Sequence, residues 1–292
     1  MSRAALSASR CIAILNFLAA NPLDGFTLSE LAKRLEINVS SCHATLAVLT
    51  DAGYLVRHSR LRTYSLGPSA VALGSAALES HEVIDIARDA ARQLARELDL
   101  EVSVTAPAGN DIVFLARAGE HRARGIAMHV GQRVPLVPPL GSVFVAWHGA
   151  DPWLELASDR AAMRAVLRDV RRRGYSVALE AEARRGLGDA LDRLADDPND
   201  ADVRIAIRDY VDELGRQTFQ IGDLDQTIAY DVSGIAAPIF DANANVILAL
   251  TLVGFEPGLP AAKITSYGEQ LRDACLVVTK RTRGSLPAVA VR

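Results

Sequence analysis

The stretch TLSELAKRLEINVSSCHATLAVLTDAGYLVRHSRLRTYSL, residues 27–66, decides the fold of this chain. Its first residues fit a capping box, because Thr27 can cap a helix with its hydroxyl while Glu30 reaches back to the capping residue. Apolar residues then recur at helical spacing as far as Leu35. The sequence therefore predicts a short amphipathic helix directly after residue 27.

A second helix is predicted after a brief turn at residues 36–38. Asn38 is a favourable N-cap, and the pair Ala52-Gly53 marks the end of the helix. The buried stripe is predicted to consist of Cys42, Leu46 and Leu49. At about 100° per residue, the opposite face carries small side chains, which would let the helix enter a major groove. That face comprises Ser40, Ser41, Ala44, Ala47 and Val48, with His43 and Thr45 at its sides.

Two strand-like segments, residues 54–58 and 63–66, follow the second helix. Arg57, Arg60 and Arg62 converge on the tip of this hairpin, where phosphates or a minor groove of bound DNA would lie. The alternative is a small helical subdomain with a solvated basic loop, but three arginines in one hairpin favour a winged helix-turn-helix. The residues expected to contact DNA are Thr27, Ser40, Ser41, His43, Thr45, Arg57, Arg60, Arg62 and Tyr64.

The composition is that of an ordered protein of two domains whose charge is unevenly distributed. Of its 292 residues, 50% are hydrophobic and 23% are charged, and the formal net charge is −3. Residues 1–66 hold seven basic and four acidic residues, a balance of +3, so the remainder carries −6. A basic head on an acidic body fits nucleic-acid contact at one end. Because +3 is a mild charge, tight binding of DNA is expected to require dimerisation.

Cysteine usage and hydropathy favour a cytoplasmic protein. Cys11, Cys42 and Cys275 are far apart and form no C-x-x-C motif, so structural disulfides are not expected. No apolar stretch approaches the length of a membrane span, and we expect no membrane partner. Residues 11–20 could be mistaken for the core of a signal peptide, but their helical periodicity favours the first helix of the DNA-binding domain.

The rest of the chain predicts an α+β domain: a mostly antiparallel sheet with flanking helices. The predicted organisation is a DNA-binding domain (1–67), a linker helix (68–81), a second domain (82–284) and a disordered tail (285–292). Helices of the second domain are predicted at residues 84–100, 142–148 and 161–174, with a closing helix over 264–278. Strands are predicted at residues 101–106, 111–117, 123–129, 133–137, from 174, 232–240 and 246–254.

In the order and spacing of several strings, the chain resembles the IclR family of bacterial transcriptional regulators. The strings are AGYL (52–55), YSLG (64–67), VGQRVPL (130–136), RRRGY (171–175) and IAAPIFD (235–241). The resemblance implies a winged helix-turn-helix joined by a helix to a GAF/PAS-like domain that binds a small metabolite. It also implies dimers or dimers of dimers on double-stranded DNA.

The chain departs from the family pattern first at the positions that would bind the effector. Members that bind small carboxylates use an Asp, a Cys and two serines, which match Ala178, Gly234, Thr251 and Val253 here. Three of these four positions lack a polar atom, so a buried carboxylate would stay unpaired at a high cost in free energy. We expect a larger or more apolar effector, aromatic or acyl; the alternative is a domain that has lost its ligand and only dimerises. The expected effector-binding residues are Ile126, Met128, Val134, Leu140, Ser142, Ala178, Gly234, Thr251 and Val253.

Two further departures concern the recognition helix and an insertion. In the family an arginine often follows the residue that matches His43, whereas this chain has Ala44, so one contact to DNA is missing. Residues 180–228 replace a short connection and contain two predicted helices, 182–194 and 203–214. A segment of this size is usually functional or interfacial, as a lid on the pocket or between subunits.

The function expected from these patterns is a DNA-binding transcriptional regulator of a palindromic operator, controlled by a small apolar or aromatic metabolite. The six histidines have no metal-ligand spacing, and Gly186-Leu187-Gly188 is not part of a phosphate-binding loop. Ser142 lacks the G-x-S-x-G context of a hydrolase. We therefore expect no enzymatic activity, catalytic residue, metal or cofactor. The alternative is a metabolite-binding or enzymatic protein whose winged domain mediates protein contacts.

Overall fold

The computed structural model describes residues 3–80, 82–120, 129–216, 220–221 and 223–287. The chain divides into two compact units. The first comprises Met1–His81 and Ala190–Ala206, and the second comprises Glu82–Asp189 and Ile207–Arg292. The middle of the inserted segment thus groups with the amino-terminal unit, whereas the sequence places the whole insertion in the second domain.

The amino-terminal part of the first unit contains short helices around a small sheet. Its elements are α1 (Arg3–Ala20), β1 (Phe26–Thr27), α2 (Leu28–Arg34), α3 (Val39–Asp51), β2 (Leu55–Arg57), β3 (Thr63–Leu66) and α4 (Pro68–Ser80). The strands pair in the antiparallel order β1-β3-β2. The two-residue strand β1 was not predicted; it pairs Phe26 with Tyr64 and completes the wing.

Local capping explains where α2 and α3 begin. The hydroxyl of Thr27 accepts the backbone N–H of Glu30, and the Glu30 carboxylate accepts the backbone N–H of Thr27 at 2.7 Å. Asn38 caps α3 by accepting the backbone N–H of Ser40 at 3.0 Å. Both caps are those predicted from the sequence. The helices then bury one continuous core, which includes Ile14, Leu18, Leu31, Cys42, Leu46 and Leu55.

The second unit contains a six-stranded sheet with helices on both faces. Its first elements are α5 (Glu82–Leu98), β4 (Glu101–Ala108), β5 (Asp111–Ala118), β6 (Arg133–Pro135), α6 (Ser142–Val145), α7 (Ala150–Glu155), α8 (Arg160–Arg173) and β7 (Ser176–Leu179). The helices of the insertion, α9 (Glu182–Asp196) and α10 (Ala201–Arg216), contribute to both units. The remaining elements are β8 (Ala229–Tyr230), β9 (Val232–Phe240), β10 (Val246–Val253), β11 (Leu259–Pro260) and α11 (Ala261–Arg281).

The sheet has the order β6-β5-β4-β10-β9-β7, and every neighbouring pair is antiparallel. Successive side chains of a strand point to opposite faces. One face packs with α5 and α11 around Val102, Val104, Ile235, Leu250 and Leu252. A second cluster on the other face includes residues of α6, α7 and α8. The antiparallel sheet with flanking helices is the architecture predicted from the sequence.

Some predicted elements differ from the structure. The helix α7 was not predicted, and α6 is one turn long where a helix over 142–148 was expected. Ser285 and Leu286, predicted in the disordered tail, are attached: the N–H of Ser285 donates to the carbonyl of Asp241 at 2.8 Å, and Leu286 packs against the core. The predicted strand 123–129 falls almost entirely outside the described residues. None of the helices in the described ranges has the length and apolar character needed to cross a membrane.

Candidate DNA-binding face and effector cavity

Helix α3 presents small and polar side chains to solvent. Its opposite side, with Cys42, Leu46 and Leu49, is buried in the core as predicted. Ser41 is half-buried at the edge of the open face. The exposed side chains of the helix include Ser40, His43, Ala44, Ala47 and Val48. A helix with such short side chains on its open face can approach base edges closely.

Of the predicted DNA-contacting residues, Thr45 and Tyr64 are buried and Thr27 is half-buried. Thr45 is buried, and its hydroxyl donates to the carbonyl of Ser41 at 2.9 Å. The ring of Tyr64 is buried in the core, with the guanidinium of Arg57 5.9 Å from its centre. The hydroxyl of Thr27 is occupied by the capping box. The expectation that Thr45 and Tyr64 lie open to DNA is therefore corrected, because both side chains pack into the core.

The hairpin between β2 and β3 places its three arginines in solvent. Arg57, Arg60 and Arg62 are all exposed. The turn is closed by the N–H of Arg62, which donates to the carbonyl of His58 at 2.8 Å. Within the described part of the chain, no carboxylate forms an ion pair with these arginines. Their full positive charge is therefore available to a phosphate backbone.

A cavity of about 170 Å³ lies in the second unit, on the sheet face away from α5 and α11. Its floor consists of residues that alternate along the strands with core residues. These floor residues are Thr105, Ser176, Ala178, Gly234, Ala236 and Thr251. Ala178 and Gly234 are direct partners across β7 and β9, and Thr251 is opposite Ala236. Small side chains at these neighbouring positions leave the space that the cavity occupies.

The loop before α6 closes the cavity. Gly141 has a φ of +76°, and a Cβ at this position would lie 2.2 Å from Cδ1 of Leu136, so no other residue fits there without a shift. Trp153 fixes the loop by donating from Nε1 to the carbonyl of Leu140 at 3.0 Å. The apolar walls include Ile112, Phe114, Val134, Leu140 and Phe144.

One hydrogen-bonded group stands out among the polar atoms of the cavity. The hydroxyl of Ser142 donates to Oε1 of Gln220 at 2.7 Å, and Nε2 of Gln220 donates to the carbonyl of Pro139 at 2.8 Å. None of the described residues that line the cavity is charged. A ligand carboxylate inside it would have no ionic partner, which is costly in an apolar site.

The structure brings together most of the predicted effector-binding residues. Those that line the cavity are Val134, Leu140, Ser142, Ala178, Gly234 and Thr251. Val253 points to the same face of β10 but pairs across the sheet with Glu101, outside the lining. Ile126 and Met128 lie outside the described residues. The binding role of the whole set remains a prediction.

Sequence reasoning missed several residues of the lining. Thr105 and Ser176 carried a usable signal, because each alternates with apolar residues of a predicted strand. Gln220 carried none. It comes from the carboxyl-terminal part of the insertion, where no periodic pattern indicates a strand.

The basic end of α8 holds the segment that contains Gln220. The guanidinium of Arg173 donates to the carbonyl of Ile221 at 2.8 Å and lies 5.5 Å from the ring centre of Tyr175. Burial lowers the pKa of Arg173 and raises the pKa of Tyr175. Arg172 pairs with Asp223 on the same segment. Arg173 thus serves an internal contact, whereas the pair of Arg172 with Asp223 lies on the surface.

The histidines, cysteines and carboxylates of the described residues bear on two other kinds of site, metal sites and reactive thiols. In the described ranges, no group of three or more His, Cys, Asp or Glu is placed to hold a metal ion. Cys42 and Cys275 are buried free thiols. Burial raises the pKa of Cys275 to about 12, so its reactive thiolate is scarce at neutral pH.

A comparison with protein families finds a match in the amino-terminal unit. Residues 6–61 match the model of the MarR family. The transcriptional regulator BhcR of Paracoccus denitrificans is 29% identical over 112 residues, which span 38% of this chain and 39% of BhcR. The transcriptional regulator KipR of Bacillus subtilis is 22% identical over 278 residues, 93% of this chain and 95% of KipR. The chain thus spans about two fifths of BhcR but nearly all of KipR.

Solved structures match this chain over nearly its whole length. An IclR transcriptional regulator from Alicyclobacillus acidocaldarius has a TM-score of 0.67 at 18% identity, covering 94% of this chain and 98% of that one. An IclR homologue from Microbacterium hydrocarbonoxydans, complexed with 4-hydroxybenzoate, has a TM-score of 0.62 at 20% identity, with 96% and 100% covered. The resemblance stated from the sequence is confirmed: this chain has the fold of the IclR-type transcriptional regulators.

Proposed function

We propose that this protein is a DNA-binding transcriptional regulator that responds to a small molecule bound in its second unit. The observation that carries the proposal is the open face of α3 beside an exposed hairpin whose three arginines form no ion pair with any described carboxylate. The helix supplies contacts to base edges, and the arginines supply contacts to phosphates. The relatives BhcR and KipR are named as transcriptional regulators, which supports a regulatory rather than an enzymatic role.

The effector is an uncharged or largely apolar molecule about the size of one aromatic ring. A volume of about 170 Å³ suits such a group, since cavities of roughly 150 Å³ lined by apolar residues accept benzene. The hydroxyls of Ser142 and Thr251 offer it hydrogen bonds. The homologue that holds 4-hydroxybenzoate supports a single-ring ligand in this fold. That ligand carries a carboxylate, for which the described lining of this cavity offers no ionic partner.

The protein acts as a homodimer or a dimer of dimers on a palindromic operator. Helix α4 supports this assembly, because it buries none of its residues and leaves Val71 and Leu73 68% and 59% exposed. A second copy would cover these apolar side chains. Two copies of residues 1–66, each with a balance of only +3, would also supply the phosphate contacts that one copy lacks.

The DNA-binding part is tested by selecting fragments of the source genome with the purified full-length protein. We expect enrichment of a palindromic site, weakening as salt increases. If no sequence is enriched at any salt concentration, the proposal of a sequence-specific regulator is rejected.

The effector part is tested by thermal unfolding with a panel of single-ring aromatic compounds, short acyl compounds and dicarboxylates. Neutral single-ring compounds are expected to raise Tm most, because a ligand that binds only the folded protein stabilises it. The same compounds should change the affinity for the selected operator. If dicarboxylates stabilise the protein most, the interpretation of the uncharged cavity is wrong.

A further inference from the structure

Gln220 lines two cavities at once. The first is the effector cavity of about 170 Å³, and the second is a larger space of about 500 Å³. The larger space has a different character, because Asp159 and Arg216 contribute charged groups to its lining. Pro139, whose carbonyl accepts from Gln220, also lines the larger space. The side chain of Gln220 is therefore shared between an apolar cavity and a polar one.

The position of Gln220 is fixed from several sides. Its backbone bridges to Ala178 at the edge of the sheet, and the next N–H, from Ile221, donates to the carbonyl of Val177 at 3.1 Å. Arg173 binds the carbonyl of Ile221. The side-chain amide is held by Ser142 and Pro139, on the loop that closes the effector cavity. Both ends of the residue are thus anchored to elements that form the cavity.

We infer that Gln220 is a specificity-determining residue, a wall that limits the effector to the inner cavity. Its carboxamide occupies the space through which a longer ligand would reach the polar cavity. Truncation at Cβ would join the two spaces and admit ligands with a ring and a polar extension. Residues 180–228, predicted from the sequence to be an insertion, would then set which effectors this protein accepts. The inference rests on the proposed effector role of the inner cavity.

The size limit can be measured without knowing the effector, by chemical labelling of a cysteine in the floor of the cavity. Thr251→Cys places a thiol there, in a background where the half-buried Cys11 is replaced by Ser. The two native thiols that remain are buried. The rates of labelling by methyl methanethiosulfonate and by the larger benzyl methanethiosulfonate are compared by mass spectrometry.

The ratio of the benzyl rate to the methyl rate reports the size limit. We expect Gln220→Ala to raise this ratio at least about tenfold, equivalent to about 1.4 kcal/mol in activation free energy. Gln220→Leu keeps the volume without the hydrogen bonds and should leave the ratio low. Gln226, an exposed residue six positions after Gln220, provides a matched control: Gln226→Ala should not change the ratio.

An unchanged ratio in Gln220→Ala would overturn the inference. An equal rise in Gln220→Leu would also overturn it, because the hydrogen bonds and not the wall would then set access. Neither labelling result would bear on operator binding, which is measured separately on the same variants. A failed operator selection with the expected labelling pattern would instead reject the regulatory function and leave the wall in place.

Discussion

At the scale of single residues, the capping box of α2 links local structure to pH. The backbone N–H and the hydroxyl of Thr27 donate to the Glu30 carboxylate at 2.7 and 2.8 Å, and these hydrogen bonds lower the pKa of Glu30. The charged carboxylate is therefore favoured in the folded state. Its contribution to stability is present above the ordinary pKa of about 4.3 and is lost as pH falls through the lowered value in the folded protein.

Glu30→Gln should therefore lower the free energy of unfolding near neutral pH by a few tenths to about 1 kcal/mol, the usual range for a carboxylate at a helix start. The difference from the wild type should fade in acid, below the folded pKa. Urea unfolding at neutral and acid pH measures it. Glu36→Gln, in the exposed turn after α2, is the control. A difference that stays constant or grows in acid would contradict the role assigned to the charged form.

His43 and Thr45 are two residues apart on α3 but face different surroundings. His43 is exposed, whereas Thr45 is buried and bound to the carbonyl of Ser41. We expect His43→Ala to relax sequence preference on the operator by about 1–3 kcal/mol at one base position. Thr45→Val keeps the buried shape and should lower stability while leaving sequence preference intact. Selection from a randomised operator library measures both, and relaxed preference in Thr45→Val would contradict this assignment.

At the scale of helices and strands, sequence periodicity predicted those elements whose structure depends on residues close together in the chain. The bounds of β3 and β9 are those predicted, because turn residues and alternation mark both strands. The strand β1 was missed because its two residues extend only by pairing with β3, almost 40 residues later. Thr45 was misplaced because its position at the side of a helical face allows either burial or exposure. Only the packing of the neighbouring elements decides between them.

Substitution by alanine should have opposite effects on stability at two helical glycines. Gly74 in α4 has open space around its missing Cβ, whereas a Cβ on Gly186 in α9 would lie 2.5 Å from the ring of Tyr210 in α10. Gly74→Ala should stabilise the protein by up to about 1 kcal/mol, because alanine loses less backbone entropy on folding. Gly186→Ala should destabilise it, because the aromatic ring must move. Urea unfolding gives both values.

The Tyr210→Ala background isolates the cause of the second effect. If contact with the ring opposes the new methyl group, Gly186→Ala should lower the free energy of unfolding by less, or should raise it, once the ring is absent. The same cost in both backgrounds would show that the Tyr210 ring is not responsible.

At the scale of the whole molecule, long-range contacts of the insertion were beyond prediction. Within the first unit, Asn199 donates its side-chain amide to the carbonyl of Arg34 at 2.9 Å, and Asn21 donates to the carbonyl of Ala195 at 3.1 Å. Each bond joins residues more than 160 positions apart, so no local pattern indicates it. The sequence predicted the two helices of this segment, but only the folded chain shows that the residues between them bind the end of α2. Likewise, only the folded chain shows the contacts of Gln220, near the carboxyl-terminal end of the same segment.

Charge distribution leads to a prediction about how many copies bind the operator. Arg60 is exposed at the tip of the hairpin and unpaired among the described residues, so its expected contact is one phosphate per copy. Loss of one phosphate contact reduces the slope of log affinity against log salt by about 0.9, and loss of two by about 1.8. Arg60→Ala should therefore reduce the slope by about 1.8 if two copies occupy the operator. Fluorescence anisotropy titrations of the selected site at several salt concentrations measure the slope.

Arg96→Ala provides the control, because Arg96 is exposed on α5 in the acidic unit and should leave the slope unchanged. A change of about 0.9 for Arg60→Ala would indicate one copy on the DNA and contradict the proposed dimer. An unchanged slope would remove Arg60 from the phosphate contacts. The result bears on the whole assembly: with a balance of only +3 in residues 1–66, tight binding is expected to need two copies, and strong binding by a single copy would contradict that expectation. A slope change that matches two copies would tie the pairing of chains to DNA recognition, since two winged helix-turn-helix segments would then share one operator.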